Sequence, residues 1–280
     1  MRIELAKSAG FCFGVRRALA MVEENIKQMK KPIRMYGHLV HNEEVVKKLA
    51  AKGIEVIDTL KGIYQGTLII TAHGISPKIK EELVKRKKLD LIDATCPKVL
   101  NVHRLAKRLR EENRQVLIFG DPGHKEVLGI KGAAGNKAVV FSSYKELKKI
   151  DISQKIKYGL VAQTTKEYQK FKELEKKIRR RISDIKIFNT ICETSREKQS
   201  EARRLAKKYD VVLVIGSRLS ANTTRLYEIC SKINSNTYFI NTAEELKKEW
   251  FKNKASVGVT AGASTPDWVI DKAVERALEY

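Results

Sequence analysis

Several things are missing from this chain, and each absence narrows its function. Across 280 residues no apolar run approaches the length needed to cross a bilayer. The opening MRIELAKSAG has no basic stretch followed by an apolar core and a cleavage site. The expectation is a cytoplasmic protein with no membrane partner. Cysteine is scarce, at four positions: Cys12, Cys96, Cys192 and Cys230. In a reducing compartment these are not expected to form structural disulfides, which leaves burial, metal ligation or catalysis. Aromatic residues make up 7% of the chain, and no helix-turn-helix, zinc-finger or aromatic RNA-recognition pattern is evident. Acidic residues are also short, 33 against 56 Lys and Arg, so the formal charge is +23 and the surface field concentrates anions. That charge keeps a basic nucleic-acid-binding module open as an alternative. The missing recognition patterns argue against it, and much of the charge lies in helical runs such as KEYQKFKELEKKIRRR that read as solvated faces.

What is present is an alternation. Short Val/Ile/Leu-rich runs are separated by helical stretches of ten or more residues, the pattern of parallel strands joined by crossover helices, so the fold class is α/β. Three polar loop types recur at the strand ends in a constant order. The first follows a strand with glycine: MYGHLVHNEEV at Gly37, IFGDPGHKEVLG at Gly120 and VIGSRLSANTTRL at Gly216. The second ends on small or hydroxyl residues: LIITAHGIS at His73, GLVAQTTKE at Thr164 and Thr165, and VGVTAGASTPD at Ser264. The third ends at cysteine, IDATCPK at Cys96 and FNTICET at Cys192. The last unit lacks its own cysteine, and the N-terminal RIELAKSAGFC supplies a strand and then Cys12. This predicts three similar α/β units, 14–97, 98–192, and 193–280 closed by 1–13, arranged about a pseudo-threefold axis on which the strand C-terminal ends converge.

Three thiols placed where a strand meets a helix suggest a metal cluster, because thiolates are natural ligands of iron–sulfur clusters and of zinc, and a helix N-terminus favours the deprotonated form. Three thiolates match three corners of a cubane, which leaves a fourth iron open to substrate. Zinc held by three cysteines and one histidine, in a hydrolase, is the competing reading. Cys230 differs: it lies in TTRLYEICSKI on the stripe of Leu226 and Ile233, as a core residue does.

His41, His73 and His124 fall in the loops, whereas His103 sits in the basic helix KVLNVHRLAKRLREEN as a surface or packing residue. Imidazoles, hydroxyls and amides at helix N-termini suit a polyphosphate, and Thr164, Thr165, Ser220, Asn222 and Ser264 add neutral donors. Each hydroxyl has a plainer use as a helix N-cap. Glu126, two residues after His124, is a carboxylate among anion-binding groups, which is a liability unless it is protonated and delivers its proton to a leaving group. Its plainer use is to complement a helix dipole. The run GIKGAAGNK is glycine-rich but follows no strand directly, so it is weak as a nucleotide loop.

Taken in order, GFCFGV, VHNEEVV, AHGIS, DATCP, GHKEV, QTT, GS followed by SAN, and TAGAS make the chain resemble, along essentially its whole length, the LytB (IspH) family of 4-hydroxy-3-methylbut-2-enyl diphosphate reductases. The resemblance implies three α/β units around one central [4Fe–4S] cluster bound by Cys12, Cys96 and Cys192. It implies a small allylic diphosphate substrate whose hydroxyl meets the open iron and leaves as water after two electrons and two protons, in the non-mevalonate isoprenoid pathway. It assigns the diphosphate to His41, His73, His124, Ser220, Asn222 and Ser264, places Thr164 near the hydroxyl, and makes Glu126 the proton relay. Reduced ferredoxin or flavodoxin is the implied electron donor, and the cationic surface would steer an acidic one. Two departures touch substrate affinity: Ala221 stands where family members often carry a second serine, and the segment after Cys192 reads CETSREKQ.

Overall fold

Strand and helix periodicities resolve into twelve strands and ten α-helices among the described residues, 1–135 and 137–280 of a computed structural model. The chain opens with β1 (Arg2–Leu5) and α1 (Phe13–Asn25), followed by β2 (Ile33–Tyr36), α2 (Glu43–Ala51), β3 (Ile54–Ile57), β4 (Gln65–Ile70), α3 (Pro77–Val84) and β5 (Lys88–Asp93). Next come α4 (Pro97–Glu111), β6 (Gln115–Phe119), α5 (Lys125–Ala134), β7 (Val139–Phe141), α6 (Tyr144–Lys148), β8 (Tyr158–Ala162), α7 (Tyr168–Arg179) and β9 (Ile185–Ile187). The last stretch holds α8 (Glu193–Lys208), β10 (Val211–Ile215), α9 (Ala221–Ser231), β11 (Thr237–Ile240), β12 (Ser256–Ala261) and α10 (Asp267–Leu278). Among the described residues no helix is long and apolar enough to cross a membrane.

The strands form three four-stranded sheets, ordered β3-β2-β4-β5, β7-β6-β8-β9 and β11-β10-β12-β1, with every pairing parallel. Each sheet has the same topology: its first strand in chain order lies between the second and third, and the fourth takes the edge beyond the third. In the last sheet the fourth strand is β1, in register with β12 from Arg2 against Ser256 to Leu5 against Val259.

Two compact units hold these sheets. One contains residues 1–16, 40–49 and 193–280 with the third sheet, and the other contains 17–39 and 50–192 with the first two. In the former, Val211, Leu213 and Ile215 of β10 pack with Val269, Ile270 and Ala273 of α10, while Val212 and Val214 face Ala202 of α8 and Leu226 and Cys230 of α9. Successive residues of a strand point to opposite faces, so a strand covered on both sides reads as an unbroken apolar run. In the other unit, Leu117 and Phe119 of β6 face Phe171, Leu174 and Ile178 of α7, and Val116 and Ile118 face α4 and α5.

Three sequence expectations are refined. Cys230 is fully buried, but Ile233 lies beyond the end of α9 and is 40% exposed, so the stripe stops at the helix end. His103 is a packing residue: it is buried on α4, with burial pushing its pKa down to about 4. The glycine-rich run continues α5 through Ala134, and its Asn136 lies outside the described residues.

Candidate active site

The loops leaving the strands repeat residue by residue. After the first strand of each sheet, Gly37, Gly120 and Gly216 donate their N–H groups to the last residue of the second strand, Ile57, Phe141 and Ile240, at 2.8, 3.0 and 2.9 Å. Four residues on stand His41, His124 and Ser220; six on stand Glu43, Glu126 and Asn222. After the third strand come matching turns, Gly74 N–H to Thr71 O, Lys166 N–H to Gln163 O and Thr265 N–H to Gly262 O, at 3.0, 3.1 and 3.1 Å. These turns carry His73, Thr165 and Ser264 at equivalent places.

The cysteines share one anchor. The backbone N–H of Cys96 donates to Ala72 O, that of Cys192 to Thr164 O and that of Cys12 to Ala263 O, at 3.0, 3.0 and 3.1 Å. In each case the acceptor lies in the turn of the neighbouring third strand, and a helix, α4, α8 or α1, begins at the following residue. All three cysteines are half-buried, and none is in a disulfide. Three soft sulfur donors at helix N-termini, each set by the same backbone bond, are a donor set that fits an iron–sulfur cluster. Cys230 is of another kind, since burial pushes its thiol up to about 12.

The unit holding the first two sheets contains Glu126, Thr164, His73 and His124. Glu126 is 2% exposed; Thr164 donates its N–H to Oε1 at 2.6 Å and its hydroxyl to Oε2 at 2.9 Å. Burial raises the Glu126 carboxyl to about 7 against the pull of those two bonds. His124 caps α5 with its side chain: Nδ1 accepts the Glu126 N–H at 3.2 Å, which assigns the ring proton of the neutral form to Nε2. Desolvation lowers its pKa and keeps that form favoured. The rings of His73 and His124 meet edge to face with centroids 5.5 Å apart. Gly74, at φ +71°, lets the turn after His73 pass Thr95, whose methyl would lie 2.8 Å from an added Cβ.

The other unit gathers His41, Ser220, Asn222 and Ser264. The Ser264 hydroxyl donates to His41 O at 3.0 Å and lies 3.3 Å from the Ser220 hydroxyl, which also caps α9 by accepting the Thr223 N–H at 3.4 Å. The plain use as a cap and the place in the cluster coexist at Ser220. Asn222 is 4% exposed, and neither its amide oxygen nor its amide nitrogen has a hydrogen-bond partner among the described residues. A buried polar pair left this way carries a desolvation cost that a ligand can relieve.

Sequence reading missed several residues. Lys166, 3% exposed in the loop after β8, reaches Asp121 in the loop after β6 at 2.8 Å and Ser142 O just after β7 at 3.4 Å. Ser217 donates to Glu43 at 2.9 Å, and Lys198 is fully buried beneath the segment leading to Cys12. Counting six residues from each loop glycine aligns Glu43 and Asn222 with Glu126, and that register was the available signal. Nothing in REKQSEARR marks Lys198 out from its charged neighbours.

With this geometry in hand, comparison with known proteins is specific. Residues 3–278 match the family model described as LytB protein. A curated relative from Pelobacter propionicus named 4-hydroxy-3-methylbut-2-enyl diphosphate reductase is 43% identical, covering 100% of this chain and 98% of its own. One of the same name from Aquifex aeolicus is 39% identical over 99% of this chain and 96% of its own. Among solved structures, that of the diphosphate reductase from Plasmodium falciparum has a TM-score of 0.92 at 32% identity, covering 98% of this chain and 87% of that one. A second, described as the terminal enzyme of the non-mevalonate pathway, has a TM-score of 0.71 at 38% identity with both chains fully covered.

Proposed function

The chain belongs to the LytB family of reductases, and from that premise we propose that it converts (E)-4-hydroxy-3-methylbut-2-enyl diphosphate to isopentenyl and dimethylallyl diphosphate. The reaction breaks the carbon–oxygen bond to the substrate hydroxyl, takes up two electrons and two protons, and releases one water. A [4Fe–4S] cluster held by the thiolates of Cys12, Cys96 and Cys192 would supply the electrons and polarise the leaving hydroxyl.

The observation that carries this reading is the Glu126–Thr164 pair. Because the Thr164 N–H occupies Oε1, a proton on Glu126 belongs on Oε2; protonation reverses the bond that the Thr164 hydroxyl donates to the ionised Oε2, so that Oε2–H donates to the hydroxyl instead. That hydroxyl is thereby turned to donate outward, so Glu126 and Thr164 form a two-step relay to a leaving oxygen. A carboxyl at about 7 is poised to give its proton near neutral pH. His73, His124, His41, Ser220, Asn222 and Ser264 are the diphosphate ligands in this reading, with the orphaned Asn222 amide donating and Nε2–H of His124 adding a neutral donor. In this reading the chain divides into three repeats, 14–97, 98–192, and 193–280 with 1–13, each contributing one of these three thiols. Reduced ferredoxin or flavodoxin in the cytoplasm is the donor this scheme calls for.

The test is anaerobic purification with a broad visible absorption spectrum, iron and sulfide counts, and turnover of the allylic diphosphate by a chemical reductant. A colourless protein that reconstitution leaves without iron, or one that binds zinc alone, overturns the reading.

A further inference from the structure

Lys198 occupies an unusual place. It lies in the middle of α8 with no solvent exposure, although an ammonium is among the groups least often buried because its desolvation is costly. Its Nζ donates to three backbone carbonyls: Ser8 O, Gly10 O at 2.8 Å and Ala261 O at 3.3 Å. Ser8 and Gly10 belong to the segment between β1 and Cys12, and Ala261 ends β12, directly before the turn whose Ala263 carbonyl receives the Cys12 N–H. One cation therefore pins both sides of the Cys12 anchor.

Neighbouring contacts act the same way. One turn further along α8, the Glu201 carboxylate accepts the N–H groups of Lys7 and Ser8 at 3.1 and 2.7 Å. Gly10 itself sits at φ +86°, with Asp267 Oδ1 2.6 Å from where a Cβ would be, so the segment bends in a way that few residues allow. Burial lowers the pKa of this ammonium to about 8, and the electrostatic pull of Cys12 opposes that shift.

We propose that Lys198 is the positioning residue of Cys12, fixing the turn that presents this thiol and placing a buried positive charge beside it. The inference rests on the reading of Cys12 as a cluster ligand. A cluster bound by three thiolates is anionic, and adding an electron makes it more so. A fixed cation nearby eases that reduction, because net charge and local environment set iron–sulfur potentials. Groups just outside the ligand shell commonly change metal affinity by about 10–100-fold.

The experiment compares the reconstituted wild type with Lys198→Met, Lys198→Gln and Lys198→Arg by anaerobic potentiometric titration of the visible or electron paramagnetic resonance signal, and by the rate of iron loss to a chelator. Circular dichroism of the apo forms checks folding. Lys198→Met is expected to lose iron about tenfold faster or more and to have a more negative midpoint potential. Lys198→Arg, which keeps the charge, is expected to return both toward wild type. If the methionine variant does not fold, Lys198→Gln carries the test, since it keeps one donor but no charge and must still lower the potential. A loaded wild type with neutral variants of unchanged potential and iron retention overturns the role of Lys198 alone. An iron-free wild type overturns the cluster reading and this inference with it.

Discussion

Glu126 and Asn222 stand at the same step of the repeat, six residues past a loop glycine, and both are polar groups buried where an apolar one would be cheaper. Their costs differ in kind. Glu126 is held as an acid: its carboxyl at about 7 lies above the ordinary 4.5, so the folded state keeps a proton that the unfolded state has lost between those values. The stability this group contributes is present below about 4.5 and lost as pH rises through about 7, a loss of at most about 3 kcal/mol. Urea titrations of the apo protein are expected to show Glu126→Gln gaining on wild type over that interval. In the loaded enzyme the same variant should keep its spectrum and lose turnover by about 10²-fold or more, the scale of a missing general acid. Wild-type turnover should fall as pH rises past about 7, when the carboxyl ionises. Asn222 carries an unmet hydrogen-bonding capacity instead. Asn222→Leu removes both orphaned atoms, so apo stability should be unchanged or higher while KM for the diphosphate rises about tenfold or more. A stability loss would mean that the amide is paired in solution.

Elements matter here through what they bring to their ends. The helix-forming pattern of 43–51 is local to the first sheet in sequence, yet residues 40–49 belong to the unit of the third sheet. They are held there by Ser264 on His41 O, Ser217 on Glu43, and Lys48 Nζ 3.3 Å over the Trp268 ring. No periodicity reveals such an exchange, because an amphipathic helix states which face is buried and not which neighbour buries it. The cysteine loops were easier to read, since a strand, a cysteine and a helix start follow one another in the chain. Their common anchor, the cysteine N–H on a carbonyl of the neighbouring strand's turn, is a pairing across sequence and was not visible. Gly10→Ala tests how far the Cys12 loop depends on its bend. A side chain at φ +86° beside Asp267 should cost about 1–3 kcal/mol in urea denaturation of the apo form and lower iron loading. Unchanged stability and loading would show that the loop adapts.

The molecule as a whole repeats one four-stranded parallel topology three times, using its first strand to complete the last sheet. With the third loop type supplied by the N-terminus, the order of loop motifs was sufficient to anticipate this closure. The net charge of +23 belongs to the same scale. If an acidic protein delivers the electrons, the rate of cluster reduction by reduced ferredoxin or flavodoxin should fall steeply between low and moderate ionic strength, as steered encounters do. A small uncharged reductant should be indifferent to salt, and a salt-independent protein donor would remove the charge from any part in electron delivery. Strand periodicity, loop order and the thiol, imidazole and hydroxyl types at strand ends follow from local chemistry along the chain, and they specified the α/β class and the candidate residues. The partner of each buried polar group arose from packing instead: Thr164 on Glu126, three carbonyls on Lys198, and, among the described residues, no hydrogen-bond partner for the Asn222 amide. Burial is a property of neighbours far apart in sequence, and it is burial that makes Glu126 an acid near pH 7 and Lys198 a fixed charge rather than another surface lysine.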